Sequence, residues 1–239
     1  RTRPLQIGYF LLGADIESSA PSTGIVEAHR HAINTLAGRP NFLMVGTVEP
    51  RKGHAQALDA FERLWANSSD AVLVIVGKRG WHVEELADRL TSHPENGRRL
   101  YWFEGVSDEA LERIYAHSSL LLAASFGEGF GLPLIEAARH GLPLLARDIP
   151  VFREVAGDNA LYFRGDSASA LALALGQALE TWRRHALPDP RQIKALTWKE
   201  STAELWEAMS GLRDVSTWHG AEAARPEDAQ ALWPAAAQE

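Results

Sequence analysis

Residues 128–136 read Glu-Gly-Phe-Gly-Leu-Pro-Leu-Ile-Glu and set two carboxylates, Glu128 and Glu136, with seven residues between them. Gly127, Gly129 and Gly131 surround the first acid. Glycine lets a backbone approach a ligand closely and adopts positive φ at little cost. Pro133 suits the first turn of a helix, where its missing N–H loses nothing. Such a loop-to-helix junction offers backbone N–H groups to an anion and carboxylate oxygens to sugar hydroxyls.

Two other turns carry positive charge. Residues 46–53, Gly-Thr-Val-Glu-Pro-Arg-Lys-Gly, put Arg51 and Lys52 at the start of a helical pattern. That composition suits a phosphate; taken alone it reads equally well as a solvated basic turn. Residues 77–80, Gly-Lys-Arg-Gly, repeat the theme, and there solvation explains the residues better than ligand contact does.

The flanking segments say how these turns are held. Apolar runs of strand length (42–46, 71–77, 100–103, 120–125, 143–147 and 161–163) alternate with amphipathic stretches of helical period. The helices are expected at 25–36, 55–65, 83–90, 107–117 and 133–139, with Ser107 as an N-cap. Residues 170–175 alternate Ala and Leu like a strand. The wider spacing of Leu171, Leu175, Ala178, Leu179 and Trp182 predicts a helix instead. Thr197 and Glu200 form a capping box before a stripe of Trp198, Thr202, Leu205, Trp206 and Met209, expected to pack. Strands alternating with helices predict an α/β, Rossmann-like doubly wound parallel sheet. Ligands of such sheets sit beyond the carboxyl ends of the strands, which is where all three turns fall. The chain divides into a linker with a leading strand (7–12) and helix (1–40), the sheet domain (41–186), a closing helix (187–220) and an Ala/Pro/Glu-rich, loosely ordered tail (221–239).

Composition removes whole classes of function. The 239 residues carry no cysteine, which excludes disulfides and thiolate metal sites, and a formal charge of −7 argues against nucleic acid as the main partner. No apolar run approaches the ~18 residues of a membrane span. His29 and His31, two apart on a helix, cannot share a metal; His54 reads as a surface histidine. No Asp-x-Asp pair occurs in the chain. The chain starts at Arg1 and is expected to be part of something longer.

The ordered set of residues 45–53, 74–77, 103–111, 125–137 and 152–160 resembles the C-terminal, donor-binding half of retaining GT-B glycosyltransferases. Within them it is most similar to bacterial mannosyltransferases of surface-polysaccharide assembly. The resemblance covers about residues 41–212. It implies that Arg51 and Lys52 grip the diphosphate of a nucleotide sugar, that Glu128 meets the transferred sugar's hydroxyls, and that Glu136 accepts hydrogen bonds from both ribose hydroxyls. It places backbone groups of Phe130, Gly131 and Leu132 against the donor, and Gly105, Val106 and Lys78 near the base and its phosphate. The implied donor is GDP-mannose, with no metal. The implied acceptor is a lipopolysaccharide or capsular glycan, bound through an N-terminal domain that this chain is too short to contain. The isolated piece is then expected to bind nucleotide and turn over little or nothing. A cytoplasmic location follows, with peripheral contact at the inner face of the plasma membrane. Two departures stand out: Thr47 occupies a position where many relatives have arginine, and Ala124 one where they often have proline. A non-catalytic nucleotide-sugar-binding scaffold is the alternative, and a nucleotide-sugar epimerase a third; the intact acids and the Arg-Lys pair favour a transferase.

Overall fold

The computed structural model describes residues 10–13, 21–36, 38–194 and 196–210. Six parallel strands form its sheet: β1 (Asn41–Val45), β2 (Val72–Val76), β3 (Leu100–Phe103), β4 (Leu120–Ala123), β5 (Leu144–Arg147) and β6 (Leu161–Phe163). They are ordered β3-β2-β1-β4-β5-β6. The helices are α1 (Glu27–Leu36), α2 (His54–Ala66), α3 (Glu84–Ser92), α4 (Asp108–His117), α5 (Leu132–Arg139), α6 (Pro150–Ala156), α7 (Ala168–Arg183) and α8 (Trp198–Ser210). The doubly wound α/β class expected from the sequence is the one observed.

Covering both faces of a parallel sheet demands apolar side chains on both, and β2, Val-Leu-Val-Ile-Val, is buried throughout. Because side chains alternate along a strand, the core divides in two. Leu43, Val74, Leu121 and Leu144 pack beneath α1, α4, α5 and α6. Phe42, Leu73, Ile75 and Leu122 pack beneath α2, α3 and α7. Helix α1 contributes Ala32, Ile33 and Leu36 to the first of these cores. In α7 the residues Leu171, Leu175, Ala178 and Leu179 are buried, while Leu173 is 66% exposed. A strand would have buried 171 and 173 together, so the helical period decides that segment.

The order of the sheet reverses between β1 and β4. Helix α2, after β1, lies on one face, and α5, after β4, lies on the other. The chain after these two strands heads to opposite faces of the sheet, so the carboxyl edge between them is the topological switch point, the crevice at which such folds take ligands.

Residues Ala14–Thr197 form one compact unit, whereas segment 10–13 and α8 belong to another. In that second unit the Ser201 hydroxyl donates to the Leu11 carbonyl at 2.7 Å. Ser201 is the buried residue of α8, while Trp206 and Met209 are 71% and 60% exposed. The stripe expected to pack is thus corrected: spacing shows that a helix has a stripe, but the less exposed face here runs through Ser201, Glu204, Leu205 and Ala208. Of the strand expected at 7–12, residues 7–9 lie outside the described residues and residues 10–12 form no strand; the tail from 221 lies wholly outside them. Among those described, no helix is long and apolar enough to cross a membrane.

Candidate donor site

The loop after β1 turns sharply through a 3-10 turn at Pro50–Lys52, and Gly53 ends it with φ 74°, ψ 18° before α2 begins. Left-handed backbone favours glycine. Here space demands it too: a Cβ on Gly53 would lie 2.4 Å from the Ala124 carbonyl oxygen. The two loops bordering the crevice therefore touch backbone to backbone, and the Phe126 N–H donates to the Arg51 carbonyl at 2.8 Å.

That contact brings three of the expected residues together. Lys52 Nζ lies 2.5 Å from Glu128 Oε1, and Arg51 Nη1 lies 3.0 Å from Glu128 Oε2. The Ser125 hydroxyl donates to Glu128 Oε1 at 2.7 Å, and Arg51 Nη1 also reaches the Gly127 carbonyl at 3.1 Å. Burial pushes the Glu128 carboxyl up, but hydrogen bonds from Lys52, Ser125 and Arg51 outweigh it and hold the group below its usual range. Glu128 is thus an anion at neutral pH, held by both cations.

Glu136 stands one helical turn into α5. Its Oε2 accepts from the Tyr115 hydroxyl at 2.9 Å, and the Tyr115 ring stacks on His140 at 4.6 Å. Burial, reinforced by Glu136, pushes the Tyr115 phenol well above its ordinary value, so it remains a donor and fixes the carboxylate. Of the three glycines near Glu128, Gly131 alone has a left-handed φ, 87°, as N-cap of α5. A Cβ there would press to 3.1 Å from the Phe152 ring, whereas Gly127 and Gly129 have open space. Phe130 and Leu132, on either side of Gly131, are partly buried.

Lys78, Gly105 and Val106 lie along the same edge, after β2 and β3, and among the described residues form no hydrogen bond or ion pair with Arg51, Lys52 or Glu128. Lys78 is exposed, and its carbonyl accepts from the Val48 N–H at 2.9 Å. Gly105 turns with φ 66°, and Val106 packs against the core.

Three participants escaped the sequence reading. His54, expected at the surface, is only 2% exposed, and its Nδ1 has no partner among the described residues. Its spacing to Leu58, Phe61 and Trp65 puts it on the buried stripe of α2, a pattern visible in the sequence. It lines a small cavity with Lys52, Ser125, Glu128 and Pro133. Arg147, 6% exposed at the end of β5, donates to the Ala124 and Gly165 carbonyls at 3.0 and 2.7 Å and to the Gln56 side chain. Its guanidinium lies between the rings of Phe126 and Phe163, at 4.0 and 4.9 Å, and so roots the acidic loop. Glu49 binds Arg51 Nη2 at 2.6 Å.

Burial, then the neighbouring Lys52 ammonium, push the His54 imidazole down to about 4 against a hydrogen bond to the Glu49 backbone that raises it. The unfolded chain protonates this residue near pH 6.5 while the native state keeps it neutral, so stability falls as pH drops from about 6.5 to 4. The total is of order 3 kcal/mol. Urea unfolding across pH 4–7 should show that slope in the parent and a shallower one in His54→Phe; equal slopes would remove His54 as the cause.

A doubly wound sheet whose switch crevice is bordered by a basic turn and an acidic glycine-rich turn defines a Rossmann-like α/β domain. Residues 26–194 match the family described as Glycosyl transferases group 1, and the chain belongs to that family. It is 48% identical over 202 residues to the serotype-specific mannosyltransferase WbdA of Escherichia coli, covering 84% of this chain and 25% of that protein. It is 32% identical over 176 residues to the O-antigen chain mannosyltransferase B of Escherichia coli, covering 71% and 45%. The chain thus spans about a quarter to a half of the length of these relatives. In fold it is similar to the C-terminal domain of a glycosyl transferase group 1 family protein (LpcC) from Francisella tularensis. The TM-score is 0.55 at 15% identity, covering 77% of this chain and 94% of that one. Sucrose-phosphate synthase from Thermosynechococcus elongatus gives a TM-score of 0.63 at 20% identity, over 86% and 52%. These likenesses are to the GT-B arrangement.

Proposed function

We propose that this chain is the donor-binding part of a retaining hexosyltransferase that transfers mannose from GDP-mannose to a growing lipopolysaccharide O-antigen or capsular glycan. The acceptor is held mainly by a domain outside this chain, and the protein works in the cytoplasm at the inner face of the plasma membrane. The observation that carries the reading is the meeting of Arg51 and Lys52 on Glu128 at the switch crevice. The resemblance to mannosyltransferases supports the sugar.

Cleaving a sugar–phosphate bond builds negative charge on the departing diphosphate. Arg51 and Lys52 stabilise that charge more in the transition state than in the ground state, and such differential binding accelerates the reaction. The departing phosphate helps deprotonate the acceptor hydroxyl on the same face of the sugar. Glu128 and a diphosphate cannot both keep the two cations to themselves. As the donor enters, Glu128 gives up its cation contacts and turns to the sugar hydroxyls, for which an acceptor-only group is suited. Glu136, steadied by Tyr115, takes the ribose diol. Lys78, Gly105, Val106 and the backbone of Phe130, Gly131 and Leu132 complete the donor's surroundings. The chemistry needs no metal.

Calorimetry of this chain with GDP, UDP and ADP tests the reading. GDP should bind most tightly, with the same affinity in excess EDTA. Failure to bind all three would contradict the donor site, and a requirement for a divalent cation would contradict its metal independence.

A further inference from the structure

Arg51 is the most exposed group of the cluster, with 48% of its side chain open to solvent, yet three oxygens hold it. Two belong to Glu128 and Gly127 on the acidic loop. The third belongs to Glu49, the residue preceding the 3-10 turn, whose side chain is only 11% exposed. Glu49 has its own restraint: its Oε2 accepts from the indole Nε1–H of Trp81 at 3.0 Å, while Oε1 faces Arg51 at 2.6 Å. Each oxygen of one carboxylate is therefore assigned, and its plane cannot rotate without breaking a bond.

Trp81 comes from the loop after β2, and that loop is tied to the loop after β1. The Val48 N–H donates to the Lys78 carbonyl and the Gly80 N–H to the Val48 carbonyl, both at 2.9 Å. Any Cβ at Gly80 would sit 2.6 Å from the Val48 oxygen, so the approach admits only glycine. Yet the indole it presents is 58% exposed, with His82 edge-on at 5.2 Å. Packing alone gives a poor account of a tryptophan that leaves most of its surface in water; its N–H bond to a buried carboxylate gives a better one.

We infer that Glu49 and Trp81 are positioning residues: the Trp81 indole fixes the Glu49 carboxylate, which in turn presents the Arg51 guanidinium to the donor's diphosphate. This rests on the reading of Arg51 as a phosphate ligand. A free arginine side chain loses rotamer entropy when it is held, and holding it in place beforehand lowers the cost of binding. The relay matters most when Glu128 leaves for the sugar, because Glu49 is then the carboxylate that still anchors Arg51.

The test is a double-mutant cycle read by calorimetry, with GDP as the probe and the present chain as the protein. Trp81→Phe keeps the aromatic body and deletes the N–H. It should weaken GDP binding by about 5- to 10-fold, the scale of one hydrogen bond to a charged group, with an unchanged melting temperature. In an Arg51→Ala background the same substitution should change affinity less than twofold, because there is no guanidinium left to position. Undiminished affinity in Trp81→Phe overturns the relay, and so does an equal loss with and without Arg51. NMR of the Arg51 guanidinium in the nucleotide-free chain reads the ordering directly: its Nε–H order parameter should drop in Trp81→Phe, and an unchanged value overturns the inference. If the parent chain bound no GDP, the donor-site reading would fail by itself, and the NMR measurement would still decide the relay.

Discussion

On the proposed donor-site reading, replacing Lys52 by alanine should weaken GDP binding to this chain by about a hundredfold. Deleting one preorganised group aimed at developing charge costs roughly 3 kcal/mol. Lys52 is preorganised here: its side chain is 14% exposed, and its ammonium is bound to Glu128 at 2.5 Å and 3.6 Å from the place a Cβ on Gly46 would occupy. Arg51 cannot substitute, because it reaches the other oxygen of Glu128 and lies between that residue and Glu49. In the variant, Glu128 loses the hydrogen bond that contributes most to lowering its pKa, so its carboxyl should titrate higher. A calorimetric Kd equal to the parent's would take Lys52 out of the site.

The second large effect is on stability. Gly53→Ala should cost about 3 kcal/mol or more. Forcing a side chain into left-handed backbone costs about 1–2 kcal/mol, and crowding a packed contact adds a further 1–3 kcal/mol. The obstacle is the backbone of Ala124, with oxygen at 2.4 Å and carbon at 3.0 Å, which cannot rotate aside as a flexible side chain would. Gly105→Ala is the control. Its φ of 66° is also left-handed, but a Cβ there meets nothing within 4 Å, so the loss should be near 1 kcal/mol. Urea unfolding of both variants separates backbone strain from the clash. Equal losses would show that the approach of the two loops is not tight.

Fold was easier to read from the chain than site. Strand runs such as 72–76 are apolar on both faces because both faces are covered, and one line of sequence shows that. Helix α6, at seven residues, has too few turns to display a period. In the site, Arg51, Lys52 and Glu128 were visible because each follows a strand, and parallel strands all end at one edge. Their partners were not. Tyr115 meets Glu136 from 21 residues away and Arg147 meets Gln56 from 91. Neither spacing has a local rule, since packing between distant elements creates it. His54 is a different case: its position on the stripe of α2 was legible, and its polar character hid it.

The cluster of Glu49, Arg51, Lys52 and Glu128 holds as many acids as bases, so these four side chains together carry little net charge despite the two cations. On the proposed reading, a free anion such as inorganic phosphate is drawn there only weakly, because the acids already hold both cations. Lys52 and Arg51 are, on the proposed reading, released from Glu128 by a molecule that hands this acid alternative donors while delivering phosphate oxygens to the two cations. On that reading, discrimination among anions rests on charge compensation.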